Sequence, residues 1–198
     1  MSAPRHPARA EVVGSLLRPQ RLLDAGGGNG SAPADVVDAE VRAAVERQID
    51  LGLDVVTDGE FARAAFTHSF YDAIEGIEPS PVAVRFRNAA GDKVLYNGVP
   101  RISGRLRKVA SPLAREADRL RAITAHPFKV ALPAASWFLP AAFFEKGITD
   151  RFYDSHEELL EHTLAIQREL IGEAIGAGAR YVQLDFPVDV AVQNGLAY

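Results

Sequence analysis

The chain has 198 residues, carries a formal net charge of −4 and contains no cysteine. Its hydrophobic fraction of 47% is that of a globular protein with a core, and its length suits one domain. The missing cysteine excludes disulfides, cysteine nucleophiles and thiolate zinc ligands from this chain. The acidic balance argues against nucleic acid as a partner, and the sequence lacks the run of about 18 apolar residues that a membrane span needs. Because the first residues lack the apolar segment of a signal peptide, we expect a cytoplasmic protein.

The chain opens with a predicted strand, helix and strand. Residues 11–17 (EVVGSLL) favour a strand that ends near Ser15, before Pro19. Ser31 is a candidate N-cap for a helix whose apolar spacing runs to Gly52. The next segment, residues 54–60, predicts a buried strand that ends in a tight turn at Asp-Gly-Glu. This order favours parallel strands joined by a right-handed crossover.

The middle of the chain departs from this alternation of strands and helices. The aromatic-rich residues 61–77 predict a helix with a buried face, in which His68 is either a packed or surface histidine or part of a site. Alternating residues over about 80–108 predict an inserted β-hairpin. The arginines of that insertion occupy the polar positions of the alternating pattern. They form either a solvated face or a landing site, meaning an electrostatic binding surface, for a polyanionic substrate tail.

The last part of the chain returns to helices and strands. Residues 112–125 predict an amphipathic helix, and residues 128–136 predict a strand that ends at Ser136 beside Trp137. A long helix capped near Ser155 leads to a strand over 181–185, which ends in a carboxylate. His156 and His162 lie six positions apart on that helix, so they face different sides and form no metal pair.

Four predicted strands therefore end at polar side chains, namely Ser15, Glu60, Ser136 and Asp185. Side chains at the same end of parallel strands converge on one mouth. Two carboxylates, two hydroxyls and the neighbouring Trp137 suit a zwitterionic or aminated ligand beside a flat aromatic one.

Several segments carry a resemblance to a known family, and they occur in the family's order over nearly the whole chain. They are RAEVVGSLLRP (9–19), VTDGEF (56–61), FTHSF (66–70), KVALPAAS (129–136) and YVQLDFP (181–187). The chain resembles the cobalamin-independent methionine synthase family, above all its short single-barrel members. The resemblance implies an α/β fold in which residues 1–198 form one partial TIM-like (β/α) barrel domain. The chain would supply the first four β/α units, interrupted by the hairpin.

The resemblance also implies a function, which is methyl transfer from a methylated folate to a thiol such as homocysteine. Ser15 would contact the carboxylate of the amino acid, and Glu60 and Asp185 its ammonium group. Trp137 would lie near the folate. The remaining candidate substrate-binding residues are Ser136, Arg18 and His68, and no residue is assigned a catalytic role.

Two departures from the family pattern matter. The family's fourth strand runs on as Asp-Glu-Pro, where this chain has Asp185-Phe186-Pro187 and so loses a polar group. Family members bind zinc through His, Cys, Glu and Cys on later strands. Zinc is thus the expected cofactor of the family, but its ligands are missing here. We expect an isolated chain to be inactive. Its two open edges would expose unpaired backbone and an apolar face, so we also expect it to self-associate or to pair with a complementary C-terminal half.

Three functions remain open from the sequence. The first is a methyltransferase that becomes catalytic when a second half supplies zinc. The second is a non-catalytic half-barrel module that binds the amino acid or the folate. The third is alkyl transfer to another thiol, as in the epoxide–coenzyme M branch of the same superfamily.

Overall fold

A computed structural model describes residues 10–79, 84–87, 93–96, 100–138 and 144–185. Helices and strands are both present, so the α/β class is confirmed. The α-helices are α1 (Gln20–Asp24), α2 (Ala34–Asp50), α3 (His68–Tyr71), α4 (Pro112–Ile123) and α5 (His156–Gly176). The strands are β1 (Ile74–Pro79), β2 (Val84–Arg87), β3 (Lys93–Tyr96), β4 (Pro100–Lys108), β5 (Lys129–Pro133) and β6 (Tyr181–Asp185). None of the described helices is long and apolar enough to cross a membrane.

The segments predicted as main strands pair in chain order. Glu11 forms a parallel bridge with Val55, Val56 forms one with Phe128, and β5 pairs with β6. The first two predicted strands are shorter than expected, because only these bridging residues are extended and paired. Past Val56 the backbone turns through positive φ angles at positions 59 and 60, which ends the pairing.

The described residues divide into two compact units. The first comprises residues 10–68, 113–131 and 173–183, and the second comprises residues 69–112, 132–172 and 184–185. In the first unit, α2 buries Val37, Val41 and Val45, whose spacing places them on one helix face. The helix begins after Pro33 without a side-chain cap, so the prediction that Ser31 caps it is wrong. The Ser31 hydroxyl instead donates to Asn29 Oδ1 at 2.5 Å.

The second unit is built around the antiparallel pair of β1 and β4. The predicted helix over residues 61–77 is wrong, since only His68–Tyr71 is helical there and β1 begins at Ile74. Pairing with β4 outweighs the local helical pattern, and two ion pairs, Glu75–Arg107 and Glu78–Arg101, cross the strands. The core of this unit consists of Phe70, Ala73, Ile74, Ile102, Leu106, Tyr153, Leu159, Ile166 and Leu170.

The predicted insertion contains a hairpin, in which β2 and β3 pair antiparallel. The last alternating stretch of the predicted insertion forms β4, which pairs with β1. Arg101, Arg105 and Arg107 each form an ion pair with a glutamate, so carboxylates already neutralise this part of the proposed landing site. The side chains of Arg85 and Arg87 lie outside the described residues.

The strand predicted over 128–136 is also shorter than expected, because β5 ends at Pro133. Ser136 and Trp137 lie in a short 3-10 helix, Ala135–Phe138. The Trp137 N–H donates to the carbonyl of Ala134 at 2.9 Å, which closes this turn. The strand over 181–185 matches its prediction and ends at Asp185.

Candidate functional site

The turn that follows Val56 is held by its own side chains. Thr57 Oγ1 accepts the Gly59 N–H at 3.1 Å, and Asp58 Oδ1 accepts the Glu60 N–H at 2.9 Å. Gly59 and Glu60 have φ angles of 69° and 60°. Glu60 is the one non-glycine residue with positive φ in the described part of the chain. A left-handed backbone costs a residue with a Cβ roughly 1–2 kcal/mol, so the surrounding contacts must hold Glu60 in place.

The first predicted site residues, Ser15 and Glu60, are in direct contact. The Ser15 hydroxyl donates to Glu60 Oε2 at 2.5 Å, and the Leu16 N–H donates to the carbonyl of Gly59 at 3.2 Å. Ser15 is exposed to solvent, whereas Glu60 is only 5% exposed. The pair therefore joins a buried carboxylate to a hydroxyl that a ligand can reach.

A buried ion pair lies next to Glu60. Arg63 Nε donates to Glu116 Oε1 at 2.6 Å, and Arg63 Nη2 donates to Glu116 Oε2 and to the carbonyl of Ala131. Arg63 Nη1 lies 3.4 Å from Glu60 Oε1. The sequence analysis did not predict that Glu116 pairs with Arg63. A signal existed, because Glu116 lies on the helix face that also buries Leu113, where a carboxylate needs a partner.

Burial and charge act in opposite directions on this pair. Burial raises the pKa of Glu116 to about 7, although the Arg63 guanidinium favours the ionised carboxylate. Burial alone would lower the pKa of Arg63, but the charges of Glu116, Asp58 and Glu60 outweigh it and raise that pKa. Arg63 thus stays charged, and its charge interacts favourably with three carboxylates, those of Glu116, Asp58 and Glu60.

A small cavity of about 10 Å³ adjoins this cluster, which is room for one water molecule. Its lining consists of Val13, Gly14, Thr57, Asp58, Glu60, Arg63, Lys129, Val130 and Ala131. Among the described side chains, Asp58 Oδ2 is buried and accepts no hydrogen bond. The cavity is therefore polar on one side, and its carboxylate oxygens retain free lone pairs.

A second polar network, centred on Lys129, was not predicted. Lys129 is 2% exposed, and its Nζ lies 2.9 Å from Glu11 Oε2 and 2.6 Å from Gln183 Oε1. The Tyr181 hydroxyl also donates to Glu11, at 3.2 Å. These contacts connect Glu11, β5 and β6 by side chains.

The other candidates differ in position. Arg18 donates through Nη2 to the carbonyls of Arg63 and Glu60, so it braces the turn through its backbone. His68 is half-buried at the start of α3. The structure thus brings Ser15, Glu60 and Arg18 together in the first unit.

Ser136, Trp137 and Asp185 lie in the second unit. The Trp137 Nε1–H donates to the Tyr71 hydroxyl at 2.9 Å, and the indole packs against the core of that unit. The carbonyl of Asp185 accepts the Ala134 N–H at 2.8 Å. The roles of these residues in ligand binding remain predictions.

The backbone at Glu60 gives a testable consequence. Glu60→Ala and Glu60→Gly remove the same carboxylate and its contacts, but only glycine relieves the left-handed strain. We expect the glycine variant to be more stable than the alanine variant by about 1 kcal/mol in urea unfolding. An alanine variant that is equally stable would show that the turn carries no strain at this position.

The chain is similar to known proteins in sequence and in fold. No protein-family model matches the chain. Among curated proteins, it is 30% identical to the uncharacterized protein YxjH of Bacillus subtilis (strain 168) over 188 residues, which is 90% of this chain and 48% of that protein. It is 29% identical to the uncharacterized protein YxjG of the same strain over 190 residues, with the same coverage. The chain therefore spans about half the length of these relatives.

Solved structures share the fold. A B12-independent methionine synthase from Shewanella sp. W3-18-1, in complex with selenomethionine, matches with a TM-score of 0.69 and 24% identity over 89% of this chain and 51% of that chain. A candidate vitamin-B12 independent methionine synthase from Listeria monocytogenes matches with a TM-score of 0.64 and 23% identity, over 90% of this chain and 52% of that chain. At this level of identity, the likeness shows that this chain has the α/β fold of about half of such a synthase.

Proposed function

We propose that this chain belongs to a methyltransferase of the cobalamin-independent methionine synthase type and supplies its pocket for the amino-acid end of a thiol such as homocysteine. The observation that carries the proposal is the contact between the exposed Ser15 hydroxyl and the buried Glu60 carboxylate. The shared fold and the matching sequence segments support it.

The chemistry of the contact suits an amino acid. Each carboxylate oxygen can accept about two hydrogen bonds. Ser15 occupies one lone pair of Glu60 Oε2, and Arg63 lies near Oε1, so acceptor capacity remains for an ammonium group. Because the Glu60 side chain is buried, such a bond is stronger than it would be in water. The solvent-exposed Ser15 can turn its hydroxyl toward a carboxylate.

The fold around this pocket is proposed to be a TIM-like barrel, of which the chain supplies four β/α units. The chain-order pairing of the segments at residues 11, 55–56, β5 and β6 supports that arrangement. A complementary half would complete the sheet and supply the remaining chemistry. A second copy of this chain is the other partner to consider.

The residues described here do not fit the family's zinc. The chain has no cysteine, and no group of three or more metal-binding side chains occurs within the described ranges. No step of the transfer is therefore assigned to a metal held by this chain. We expect tag-free protein to contain much less than one zinc per chain after dialysis. Dialysis-resistant, stoichiometric zinc in metal analysis would contradict this expectation.

Calorimetry separates the candidate functions. We expect L-homocysteine to bind the purified chain, and a methyl transfer assay with methylated folate to show turnover only when a complementary half is added. Binding without turnover in both conditions would favour the amino-acid or folate module. Turnover with coenzyme M in place of homocysteine would favour the alternative thiol. No binding of any of these ligands would contradict the proposed pocket.

Trp137 is the only tryptophan of the chain and offers an optical readout. Its half-buried indole has a polar edge that already bonds to Tyr71, and such rings serve as stacking surfaces. We expect methylated folate to change its fluorescence. A spectrum that stays constant at saturating folate, while calorimetry records binding, would show that Trp137 lies away from the folate.

A further inference from the structure

We propose that Asp58 is a positioning residue, which holds Glu60 in its left-handed backbone conformation and so aims the Glu60 carboxylate at the ligand. The inference deepens the proposed function at the same site, and it rests on that function only where the ligand is concerned. Asp58 is not itself assigned a contact with the ligand.

The first support is the geometry of the turn. Asp58 Oδ1 accepts the Glu60 N–H at 2.9 Å, a bond from a side chain to the backbone two residues on. Aspartate stabilises turns in this way, and Glu60 has the strained φ of 60° directly after it. The bond therefore lies at the residue whose conformation needs support.

The second support is burial. Asp58 is 4% exposed, and its Oδ2 is buried without a hydrogen bond. A buried carboxylate is costly unless its environment compensates the charge. Arg63 supplies such compensation, because the charge of Asp58 contributes to the raised pKa of Arg63. The Asp58 side chain is thus held in this buried position by its bond to the Glu60 N–H and by the nearby Arg63 guanidinium.

The third support is what the bond controls. With its backbone fixed, the Glu60 side chain contacts both Ser15 and Arg63 and borders the small cavity. A φ change at Glu60 of more than 100°, toward the common negative range, would redirect the side chain. Losing the Asp58 bond should therefore weaken ligand binding even though Asp58 does not touch the ligand.

The first test measures amide hydrogen exchange in the unliganded, isotope-labelled full chain. Amide hydrogen exchange at Glu60 should accelerate at least tenfold in Asp58→Ala and stay within about threefold of wild type in Asp58→Asn, whose amide oxygen can still accept the bond. Thr57→Val is the matched control, because it removes the neighbouring bond to the Gly59 N–H. It should accelerate exchange at Gly59 and leave Glu60 unchanged. Equal acceleration at both amides in both variants would overturn the proposal.

The second test compares melting temperatures with and without the left-handed backbone strain at Glu60. Glycine needs no help to remain left-handed. The loss of melting temperature caused by Asp58→Ala should therefore be at least halved in a Glu60→Gly background. If Asp58→Ala alone fails to fold, a cooperative melting transition should return in the Asp58→Ala, Glu60→Gly double variant, and its absence there would overturn the proposal. The same loss in both backgrounds would mean that Asp58 does not act through Glu60.

The third test measures L-homocysteine affinity by calorimetry. We expect Asp58→Ala to weaken it at least tenfold and Asp58→Asn to retain it within about threefold. An asparagine variant as weak as the alanine variant would assign the effect to charge and overturn the positioning role. If the wild-type chain binds no homocysteine, the proposed function fails, while the exchange and melting tests still decide the role of Asp58.

Discussion

Removing Arg63 should destabilise the chain more than any other single substitution considered for this site. Arg63→Met leaves Glu116, Glu60 and Asp58 without their shared cation, whereas Glu116→Leu leaves only Arg63 without its main partner. Breaking a buried ion pair typically costs about 3–5 kcal/mol. We expect Glu116→Leu near the lower end of that range and Arg63→Met near the upper end, as measured by urea unfolding with unchanged slopes.

Helix α4, which carries Glu116, also offers a matched control for this experiment. Asp118 pairs with Arg121 at the surface, where both side chains are more than half exposed. Asp118→Ala should therefore cost less than about 1 kcal/mol. Equal effects of Arg63→Met and Glu116→Leu would contradict the view that Arg63 serves three carboxylates. If both variants lose as little unfolding free energy as Asp118→Ala, the buried pair does not contribute substantially to stability.

Replacing Glu60 with glutamine should weaken the binding of L-homocysteine by about 1.5–3 kcal/mol, the usual contribution of a hydrogen bond to a charged group. This corresponds to roughly a tenfold to 150-fold rise in Kd. The variant keeps the size of the side chain and removes the charge that an ammonium group would meet. Some loss of stability should accompany it, because Glu60 also lies 3.4 Å from Arg63.

Two observations separate binding from stability in this experiment. Glu46→Gln makes the same chemical change at an exposed position of α2 and should alter neither Kd nor melting temperature. A Glu60→Gln variant with a lower melting temperature and an unchanged Kd would mean that Glu60 only fixes the turn through Arg63. That outcome would contradict its role in amino-acid binding.

Parts of the site could be predicted because their signals are local. The β-branched run before Thr57 and the Asp-Gly-Glu turn after it predicted a buried segment ending in a carboxylate, and Glu60 lies there. The sequence predicted that Ser15 and Glu60 share one mouth, and their direct hydrogen bond is a finding of the structure. The left-handed φ of Glu60 could not be predicted, since nothing in its residue type favours it.

Two errors in the predicted elements have different physical causes, one long-range and one local. Residues 74–77 were predicted as the end of a helix but lie in β1, because β4 supplies backbone partners and arginines opposite Glu75 and Glu78. Propensity is a weak prior that tertiary contacts override. The predicted strand beyond Pro133 failed for a local reason, since a 3-10 helix closed by the Trp137 N–H and the carbonyl of Ala134 lies there.

The α/β class, the long helices α2, α4 and α5 and the strand ending at Asp185 were predicted correctly from the order of the amino acids. These follow from periodicity and turn chemistry, which act over a few residues. The pairing of Arg63 with Glu116, 53 positions away, and the link from Lys129 to Glu11 and Gln183 became visible only in the folded chain. Buried charges are stable only beside specific partners, and folding brings those partners together from segments with no local signal for one another.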